Sequence, residues 1–448
     1  MTTALLTDHY ELTMVRAART SGTAQRRSVF ELFPRRLPEG RRYGVVAGVG
    51  RALRAIEEFT FDGPTIEFLL KADAVDEDVA GWLEHYRFSG NIWGYAEGEM
   101  YFPGSPLMVV EASFEEAVLL ETVLLSIYNH DSAIASAASR MTAMADGRPI
   151  IEMGSRRTQE MSAVAAARAA YIAGFASTSN LEAGRTWGIP TGGTAAHSFT
   201  LLHDTEEEAF AAQLKTLGED TTLLVDTFDV EKAVRAGIRL TEGRLGAVRL
   251  DSGDLSIAAR EVRDLLDDLG AEDTKIIVTS DLDEWQIAAL RGAPVNGFGV
   301  GTSVVTGSGH PTCGFVYKLV ARSDTADGPL APVAKKSLNK NTVGGRKYAL
   351  RRRNAHGIAE AEIIGIEATP KDDGNDRELH VQLVKDGDVI GHESVEKARE
   401  RHAAARRELP RSALRVSRGE PAIPTIMLDD DGDLVFNPYV KGPFPTNI

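Results

Sequence analysis

The segment Gly246-Ala-Val-Arg-Leu250, followed by Asp251-Ser-Gly-Asp254 and by SIAAREVRDLLDDL at 256–269, contains the repeating unit that decides the fold. Its short apolar run predicts a buried strand, and its last part places apolar residues on one face of a helix. The same order of apolar run, small or charged cluster and helical stretch recurs between residues 149 and 303. The apolar runs are 149–153 (PIIEM), 172–176 (IAGFA), 188–191 (GIPT), 222–226 (TLLVD), 246–250 (GAVRL), 275–279 (KIIVT) and 296–300 (NGFGV).

Short strands that alternate with helices predict parallel βα units and an α/β fold. Seven closely spaced units favour an incomplete parallel βα barrel of about seven strands over an open sheet. A doubly wound sheet is the alternative, because strand order distinguishes the two architectures and the repeating pattern does not contain that order.

The two flanks of this region predict a second domain. Residues 27–34 and 92–112 alternate apolar and polar side chains between turns, as antiparallel strands do. We therefore expect an α+β domain formed by residues 1–125 and 315–448, and a barrel-like α/β domain over 126–314. Further strands are predicted at 314–320, 378–384 and 423–436, helices at 115–145 and 395–407, and a basic, glycine-containing loop at 334–347.

Composition narrows the class of protein. The hydrophobic fraction of 43% and the charged fraction of 26% are typical of soluble globular chains. A formal net charge of -15 argues against a protein that coats nucleic acid. The single cysteine, Cys313, excludes an internal disulfide framework, and the sequence has neither a signal-peptide pattern nor a run of about 18 apolar residues. We expect a cytoplasmic protein without nucleic-acid or membrane partners.

In a βα barrel the active site lies at the carboxyl ends of the strands, so the residues there are candidates for function. They are mostly glycine, hydroxyl, carboxylate and arginine residues, which suit a phosphorylated sugar with its anionic groups, hydroxyls and Mg²⁺. Arg249 and Asp251 share strand parity and would point to the same face. The strand-end clusters are residues 152–157 (EMGSRR), 177–180 (STSN), 192–197 (GGTAAH), 226–229 (DTFD), 249–254 (RLDSGD), 280–281 (SD) and 299–303 (GVGTS).

Each of these motifs has a structural alternative. Residues 299–303 fit a phosphate cradle at a helix start, or a tight turn with a hydroxyl cap. Residues 251–254 fit a pair of functional carboxylates, or an Asx-turn with a helix cap. His197 follows a loop of small residues that leaves it accessible for nucleophilic or general-base chemistry, whereas a lone histidine can also be purely structural.

Taken together, the motifs resemble those of the nicotinate phosphoribosyltransferases over essentially the whole chain. That resemblance implies the joining of nicotinate to 5-phosphoribosyl 1-diphosphate in NAD salvage, giving nicotinate mononucleotide and diphosphate. It also implies ATP hydrolysis through a phosphohistidine, a requirement for Mg²⁺, and an incomplete barrel beside a domain built from both termini. The matching segments are residues 7–14 (TDHYELTM), 30–33 (FELF), 97–99 (EGE), 102–104 (FPG), 126–129 (SIYN), 152–157, 193–199 (GTAAHSF), 248–254 and 299–302.

The resemblance assigns roles to individual residues. His197 would be the phosphohistidine, and Thr194 and Arg249 would line the nicotinate site. Tyr10 would cover the pyridine ring from the partner subunit, which implies a homodimer. The remaining assignments are Asp251 as a catalytic residue on the ribose, Arg156 on the ring or its carboxylate, Thr302 on the phosphate, and Ser280 and Gly301 as further substrate-binding residues. No metal ligands are assigned.

Acid or amide specificity is predicted from the loop at 177–180. The related nicotinamide-specific family has Gly-Thr-Asp there, and its aspartate can accept a hydrogen bond from an amide. This chain has no carboxylate in that loop, which favours nicotinate, although Ser177 replaces the family's usual glycine. The alternatives are a nicotinamide or quinolinate phosphoribosyltransferase, and a non-catalytic homologue that binds phosphoribosyl ligands.

Overall fold

The computed structural model describes residues 2–335 and 343–436. They form two compact units: one comprises the described residues of Met1–Ser136 and Thr312–Ile448, and the other is Ala137–Pro311. The expected boundary after residue 125 and the boundary found here both fall inside the helix Glu121–Ala145. Of the loop predicted at 334–347, residues 336–342 lie outside the described residues. None of the described helices has the length and hydropathy needed to cross a membrane.

The N-terminal segment of the first unit begins with a helix that carries its own cap. The Asp8 carboxylate and the Glu11 side chain form a capping box around the first turn. The predicted helix at 115–145 is divided into two. The helices of this segment are α1 (His9–Thr20), α2 (Val49–Glu57), α3 (Gly63–Lys71), α4 (Glu77–Leu83), α5 (Phe114–Val118) and α6 (Glu121–Ala145), and its strands are β1 (Arg27–Pro34), β2 (Gly44–Val45), β3 (Asn91–Tyr95), β4 (Met100–Tyr101) and β5 (Met108–Ser113).

The second unit is a six-stranded parallel sheet with helices between its strands. The strands are β6 (Ile150–Glu152), β7 (Ser177–Thr178), β8 (Thr222–Leu224), β9 (Ala247–Leu250), β10 (Lys275–Thr279) and β11 (Gly297–Val300). The helices are α7 (Glu160–Ile172), α8 (Leu181–Trp187), α9 (His197–Leu201), α10 (Glu206–Leu217), α11 (Val230–Leu240), α12 (Leu255–Asp268), α13 (Glu284–Ala289) and α14 (Thr302–Val305), with 3₁₀ turns at Ser155–Arg157 and Leu290–Gly292.

The strand order decides between the two architectures that the sequence left open. The order β7-β6-β11-β10-β9-β8 is the chain order followed around a ring, with one break between β7 and β8. A doubly wound sheet would instead reverse its order at a switch point. The sheet is therefore an incomplete barrel.

The prediction of seven strands is wrong in its second and third strands. Residues 172–176 are not a strand, because the alanine-rich helix α7 continues to Ile172 and turns at Gly174 before β7 begins. The run at 188–191 contributes a single parallel bridge between Thr178 and Thr191. Both runs are short and apolar, and in such runs hydrophobic pattern alone does not separate a strand from a buried helix end.

The C-terminal segment completes the first unit by adding strands to the sheet begun at the other end of the chain. The elements are β12 (Phe315–Arg322), β13 (Ala331–Pro332), β14 (Lys347–Arg353), β15 (Ala359–Ile366), β16 (Arg377–Glu378), β17 (His380–Lys385), β18 (Asp388–Val389), α15 (Val395–Glu408), β19 (Thr425–Leu428) and β20 (Leu434–Phe436). The seven-stranded antiparallel sheet has the order β13-β12-β1-β5-β3-β17-β18, so the three N-terminal strands lie between two pairs of C-terminal strands, and a five-stranded sheet has the order β16-β14-β15-β19-β20.

Candidate active site

The polar residues at the carboxyl edge of the half-barrel are of two kinds: those that cap a following helix and those that do not. Asn180, Asp229, Asp254 and Asp283 each accept backbone N–H groups at the start of α8, α11, α12 and α13. Asp254 thus fits the structural alternative considered for the Asp-Ser-Gly-Asp motif. The candidate site is formed by strand-end side chains that do not cap helices.

Glu152 ends β6 and joins it to the neighbouring strand. Its carboxylate is buried and accepts a hydrogen bond of 2.5 Å from the Thr178 hydroxyl and another from the Gly154 N–H. Burial raises the pKa of Glu152, and the two donors oppose that rise. This carboxylate has a structural role, because its bonds fix the loop that contains Arg156.

The loops that follow β6 and β11 touch each other through glycines. A Cβ atom added at Gly154 would lie 3.0 Å from the Gly301 carbonyl oxygen and 2.2 Å from a methyl group of Val305. Gly301 immediately precedes α14, and Thr302, its first residue, is exposed. The close approach of the two backbones therefore explains the glycines at 154 and 301. It also places Thr302 at the carboxyl edge of the sheet.

Replacing Gly154 with alanine is expected to destabilise the half-barrel by about 1–3 kcal/mol, because the added methyl group overpacks the contact with Gly301 and Val305. Urea unfolding of the two proteins measures the difference. Gly292→Ala is the matched control, since a Cβ atom there meets nothing within 4 Å. Equal midpoints for Gly154→Ala and the control would contradict the close packing of the two loops.

Two aspartates on adjacent strands are tied together at the centre of the edge. Oδ2 of Asp226 accepts the backbone N–H of Asp251 at 2.7 Å and the Ser252 hydroxyl at 2.8 Å. Oδ1 of Asp251 accepts the Thr279 hydroxyl. Oδ1 of Asp226 is buried and has no hydrogen-bond partner among the described residues. One carboxylate oxygen of this pair is therefore buried and remains able to accept a hydrogen bond or bind a ligand.

His197 lies beside this pair at the first position of α9. Its Nδ1 is 3.1 Å from the hydroxyl oxygen of Thr227, and its Nε2 is 3.9 Å from Oδ2 of Asp251. The side chain is 42% exposed. The ring is held on one side and remains accessible, which agrees with the expectation drawn from the small residues before it.

Arg249 extends from β9 to the loop that precedes His197. Its guanidinium donates to the Ala195 carbonyl at 2.9 Å and lies 3.5 Å from the Thr194 hydroxyl. Burial lowers the pKa of Arg249, Arg156 lowers it further, and Asp251 and Asp226 oppose the change. Its Nε is buried without a hydrogen-bond partner in the described part of the chain. A half-buried guanidinium with an unused N–H and a second cation nearby is suited to binding an anion.

The structure brings together some of the predicted site residues and places others along the edge. Thr194, His197, Arg249 and Asp251 form one cluster, and Arg156 influences Arg249 electrostatically. Ser280 lines a cavity of about 440 Å³ with Gly253, Asp254, Asp281 and Gln286, and Gly301 and Thr302 stand at the end of β11.

Sequence reasoning placed Asp226 and Thr227 in a strand-end cluster without giving either a role, and it missed Thr279. Thr279 is the last residue of a predicted strand, so the filter that selected Arg249 and Asp251 also reaches it.

Tyr10 belongs to the other unit and is 46% exposed near the start of α1. Burial of part of the phenol, together with the charges of Glu121, Glu11 and Asp8, raises the pKa of Tyr10 to about 12. The phenol therefore stays neutral at physiological pH and is exposed. Its contribution to a partner's site stays a prediction.

Glu11, next to Tyr10, is expected to make stability depend on pH. Burial raises the pKa of its carboxyl group to about 7, although the group accepts hydrogen bonds from Thr122 and the Asp8 N–H. Because the unfolded chain loses this proton near pH 4.5, the native state binds more protons between about pH 4.5 and 7, and stability falls as pH rises through that window.

Between pH 5 and pH 8 the free energy of unfolding should fall by about 2 kcal/mol less in Glu11→Gln than in the unmodified protein. Urea unfolding at both pH values measures this loss, with Glu67→Gln as an exposed control on α3. A loss as large in Glu11→Gln as in the unmodified protein would refute the assignment.

The fold and the edge cluster together define a class of protein. A half-barrel of parallel strands whose carboxyl edge holds a half-buried arginine, paired carboxylates and an accessible histidine is typical of an α/β enzyme that binds anionic, phosphorylated ligands.

Comparison with known proteins identifies the family. Residues 5–129 match the model of the nicotinate phosphoribosyltransferase (NAPRTase) N-terminal domain. The chain is 53% identical to nicotinate phosphoribosyltransferase pncB1 of Mycobacterium tuberculosis over 94% of both chains, and 38% identical to the nicotinate phosphoribosyltransferase of Bacillus subtilis over 78% of this chain and 73% of that one. The chain therefore belongs to the nicotinate phosphoribosyltransferase family, which confirms the resemblance inferred from the motifs.

A solved structure supports the fold independently. The crystal structure of human nicotinic acid phosphoribosyltransferase superposes with a TM-score of 0.81 at 24% identity, covering 95% of this chain and 98% of that one. The fold of this chain is therefore similar to that of the human protein.

Proposed function

We propose that this enzyme transfers the phosphoribosyl group of 5-phosphoribosyl 1-diphosphate to the ring nitrogen of nicotinate, giving nicotinate mononucleotide and diphosphate in NAD salvage. The observation that carries the proposal is the half-buried guanidinium of Arg249, whose Nε–H has no partner among the described residues and which lies beside Thr194. Arg156 adds positive charge at the same place. The nicotinate carboxylate would satisfy this pair, whereas the neutral amide of nicotinamide would not.

The loop at 177–180 supports the acid over the amide. The side-chain oxygen of Asn180 accepts a hydrogen bond from the N–H of Ala183, and its amide nitrogen donates one to the Ser155 hydroxyl. Thr178 donates to Glu152. No carboxylate in this loop is available to accept a hydrogen bond from an amide ligand.

The chemistry requires positioning more than proton transfer. Departure of diphosphate from the anomeric carbon passes through an oxocarbenium-like state, and the nicotinate nitrogen is itself the nucleophile, so no protein base is needed there. Asp251 would hold the ribose, and Ser280, Gly301 and Thr302 would bind the phosphoribosyl end at the neighbouring strand ends. Positioned groups of this kind lower the barrier by orientation and by stabilising the leaving charge.

The carboxylates at the edge fit the Mg²⁺ that the family is expected to need. Asp226 has one buried oxygen without a partner, and Oδ2 of Asp251 faces the accessible ring of His197. Two carboxylates that share a site with substrate phosphates are the usual protein contribution to magnesium binding. Asp226 and Asp251 would hold the ion, which when bound neutralises charge on diphosphate.

ATP is proposed as the co-substrate, with His197 as the phosphorylated residue. The histidine is accessible, is the first residue of α9, and lies against the Asp226–Asp251 pair. Phosphorylation there would couple ATP hydrolysis to synthesis by favouring a closed state of the site.

A homodimer in the cytoplasm is part of the same proposal, with Tyr10 reaching the partner's site. The exposed ring of Tyr10 supports that role. Mixing Tyr10→Ala protomers with Arg249→Met protomers tests it, because each mixed dimer would contain one intact site and would regain activity. Mixtures no more active than the separate variants would contradict a shared site.

One assay tests the function against its alternatives. Diphosphate release is measured with nicotinate, nicotinamide and quinolinate, each with and without ATP. We expect turnover with nicotinate, stimulated by ATP. Turnover with nicotinamide or quinolinate alone would reassign the enzyme, and binding of 5-phosphoribosyl 1-diphosphate without any turnover would indicate a non-catalytic homologue.

A further inference from the structure

We propose that Thr227 is a positioning residue for His197: its hydroxyl group engages Nδ1, so that Nε2 is the ring nitrogen that accepts the phosphoryl group. The inference rests on the phosphohistidine of the proposed function and specifies how that histidine is made ready. Its basis is the 3.1 Å contact between Oγ1 of Thr227 and Nδ1 of His197.

The chain segments on which Thr227 and His197 lie are each held by hydrogen bonds of a neighbouring residue. Thr227 directly follows Asp226, whose carboxylate is bonded to the Asp251 N–H and to Ser252. His197 follows the loop residue Ala195, whose carbonyl accepts from the Arg249 guanidinium. A hydrogen bond between two fixed segments restricts rotation of the imidazole ring, which a contact between mobile loops would not do.

The two nitrogens of the ring have different surroundings. Nδ1 lies at hydrogen-bond distance from Thr227, whereas Nε2 is 3.9 Å from the nearest oxygen of Asp251, too far for a hydrogen bond. The other oxygen of Asp251 is engaged by Thr279. With 42% of the side chain exposed, Nε2 is the nitrogen that remains free to react.

Nδ1–H is assigned as the donor and the Thr227 hydroxyl oxygen as the acceptor of this contact. The neutral imidazole that donates Nδ1–H in this way keeps its lone pair on Nε2. Nε2 then forms a bond to the γ-phosphorus of ATP, the bond from that phosphorus to the β,γ-bridging oxygen breaks, and ADP leaves with the electron pair. The proton stays on Nδ1, and the positive charge that develops on the ring strengthens its hydrogen bond to Thr227.

The inference is tested with Thr227→Val, which keeps the shape of the side chain and removes the hydroxyl group, and with Thr227→Ser, which restores the hydroxyl group. Thr222→Val is the matched control, because it makes the same change at the first residue of strand β8, whereas Thr227 lies in the loop that follows the strand. Each protein is incubated with γ-labelled ATP and Mg²⁺, and the rate of labelling is followed. Antibodies specific for the two phosphohistidine isomers identify the labelled nitrogen, and synthesis without ATP reports on the rest of the site.

We expect phosphate on Nε2 in the unmodified protein, about tenfold slower labelling in Thr227→Val, and near-normal labelling in Thr227→Ser and Thr222→Val. ATP-independent synthesis in Thr222→Val should equal that of the unmodified protein, and the ratio of labelling to ATP-independent synthesis should fall only in Thr227→Val and be restored in Thr227→Ser. Normal labelling in Thr227→Val, or phosphate on Nδ1 in the unmodified protein, would overturn the role of Thr227 while leaving the phosphohistidine intact. The absence of any phosphohistidine in the unmodified protein would overturn the coupling mechanism itself.

Discussion

Replacing His197 with alanine is expected to abolish labelling by γ-labelled ATP and to leave slow, ATP-independent synthesis of nicotinate mononucleotide. The methyl side chain removes both ring nitrogens, including the one that Thr227 engages at 3.1 Å. Arg249, Asp251 and the strand-end groups remain, so substrates can still be positioned. Loss of the coupled step should lower the ATP-stimulated rate by about 100-fold, the scale on which single catalytic groups act.

The control for this change is His203→Ala in the loop after the same helix, because His203 contacts the Phe199 carbonyl and belongs to no proposed site. Labelling and coupled synthesis should be unaffected in that variant. Loss of the ATP-independent rate in His197→Ala, with an unchanged unfolding midpoint, would mean that the ring also takes part in phosphoribosyl transfer. Retained labelling in His197→Ala would place the phosphohistidine elsewhere.

The edge of the half-barrel was predictable because parallel strands align their carboxyl ends. Strand parity placed Arg249 and Asp251 on one face, and both side chains do reach the loop 194–197. The contact between Asp226 and Asp251 was not predictable, since it depends on β8 and β9 being neighbours, and a pattern of strands and helices does not specify neighbours.

The sequence predicts short segments and buried charge least well. Residues 172–176 have the composition of a buried strand, yet they continue from an alanine-rich helix whose propensity prevails. In the first unit, Arg351 and Glu362 are fully buried and 2.9 Å apart, and no sequence pattern predicts the burial of either residue. Pairing makes their burial tolerable, and the partner of a charged residue is set by the tertiary fold.

Arg249→Met is expected to raise the KM for nicotinate by about 100-fold and to change turnover with nicotinamide by less than threefold. The guanidinium is half-buried, its Nε has no partner among the described residues, and methionine fills similar volume without charge. A carboxylate ligand therefore loses a charge-assisted hydrogen bond worth about 2–3 kcal/mol, whereas a neutral amide loses little. The ratio of kcat/KM for nicotinate to kcat/KM for nicotinamide should therefore fall, because the variant loses binding energy for the acid and almost none for the amide.

Arg244→Met provides the comparison for that variant, since Arg244 precedes the same strand but is exposed and pairs with Glu219 at 2.9 Å. An exposed ion pair contributes little to stability, so the KM of Arg244→Met for nicotinate should stay within twofold of that of the unmodified protein. If the Arg249 variant lost turnover with nicotinate and nicotinamide equally, the guanidinium would act by supporting the loop at Ala195 rather than by binding the carboxylate. Arg249→Lys separates the two roles further: lysine keeps the charge and one donor, so a loop-supporting role predicts near-complete rescue, whereas bidentate recognition of a carboxylate predicts only partial rescue.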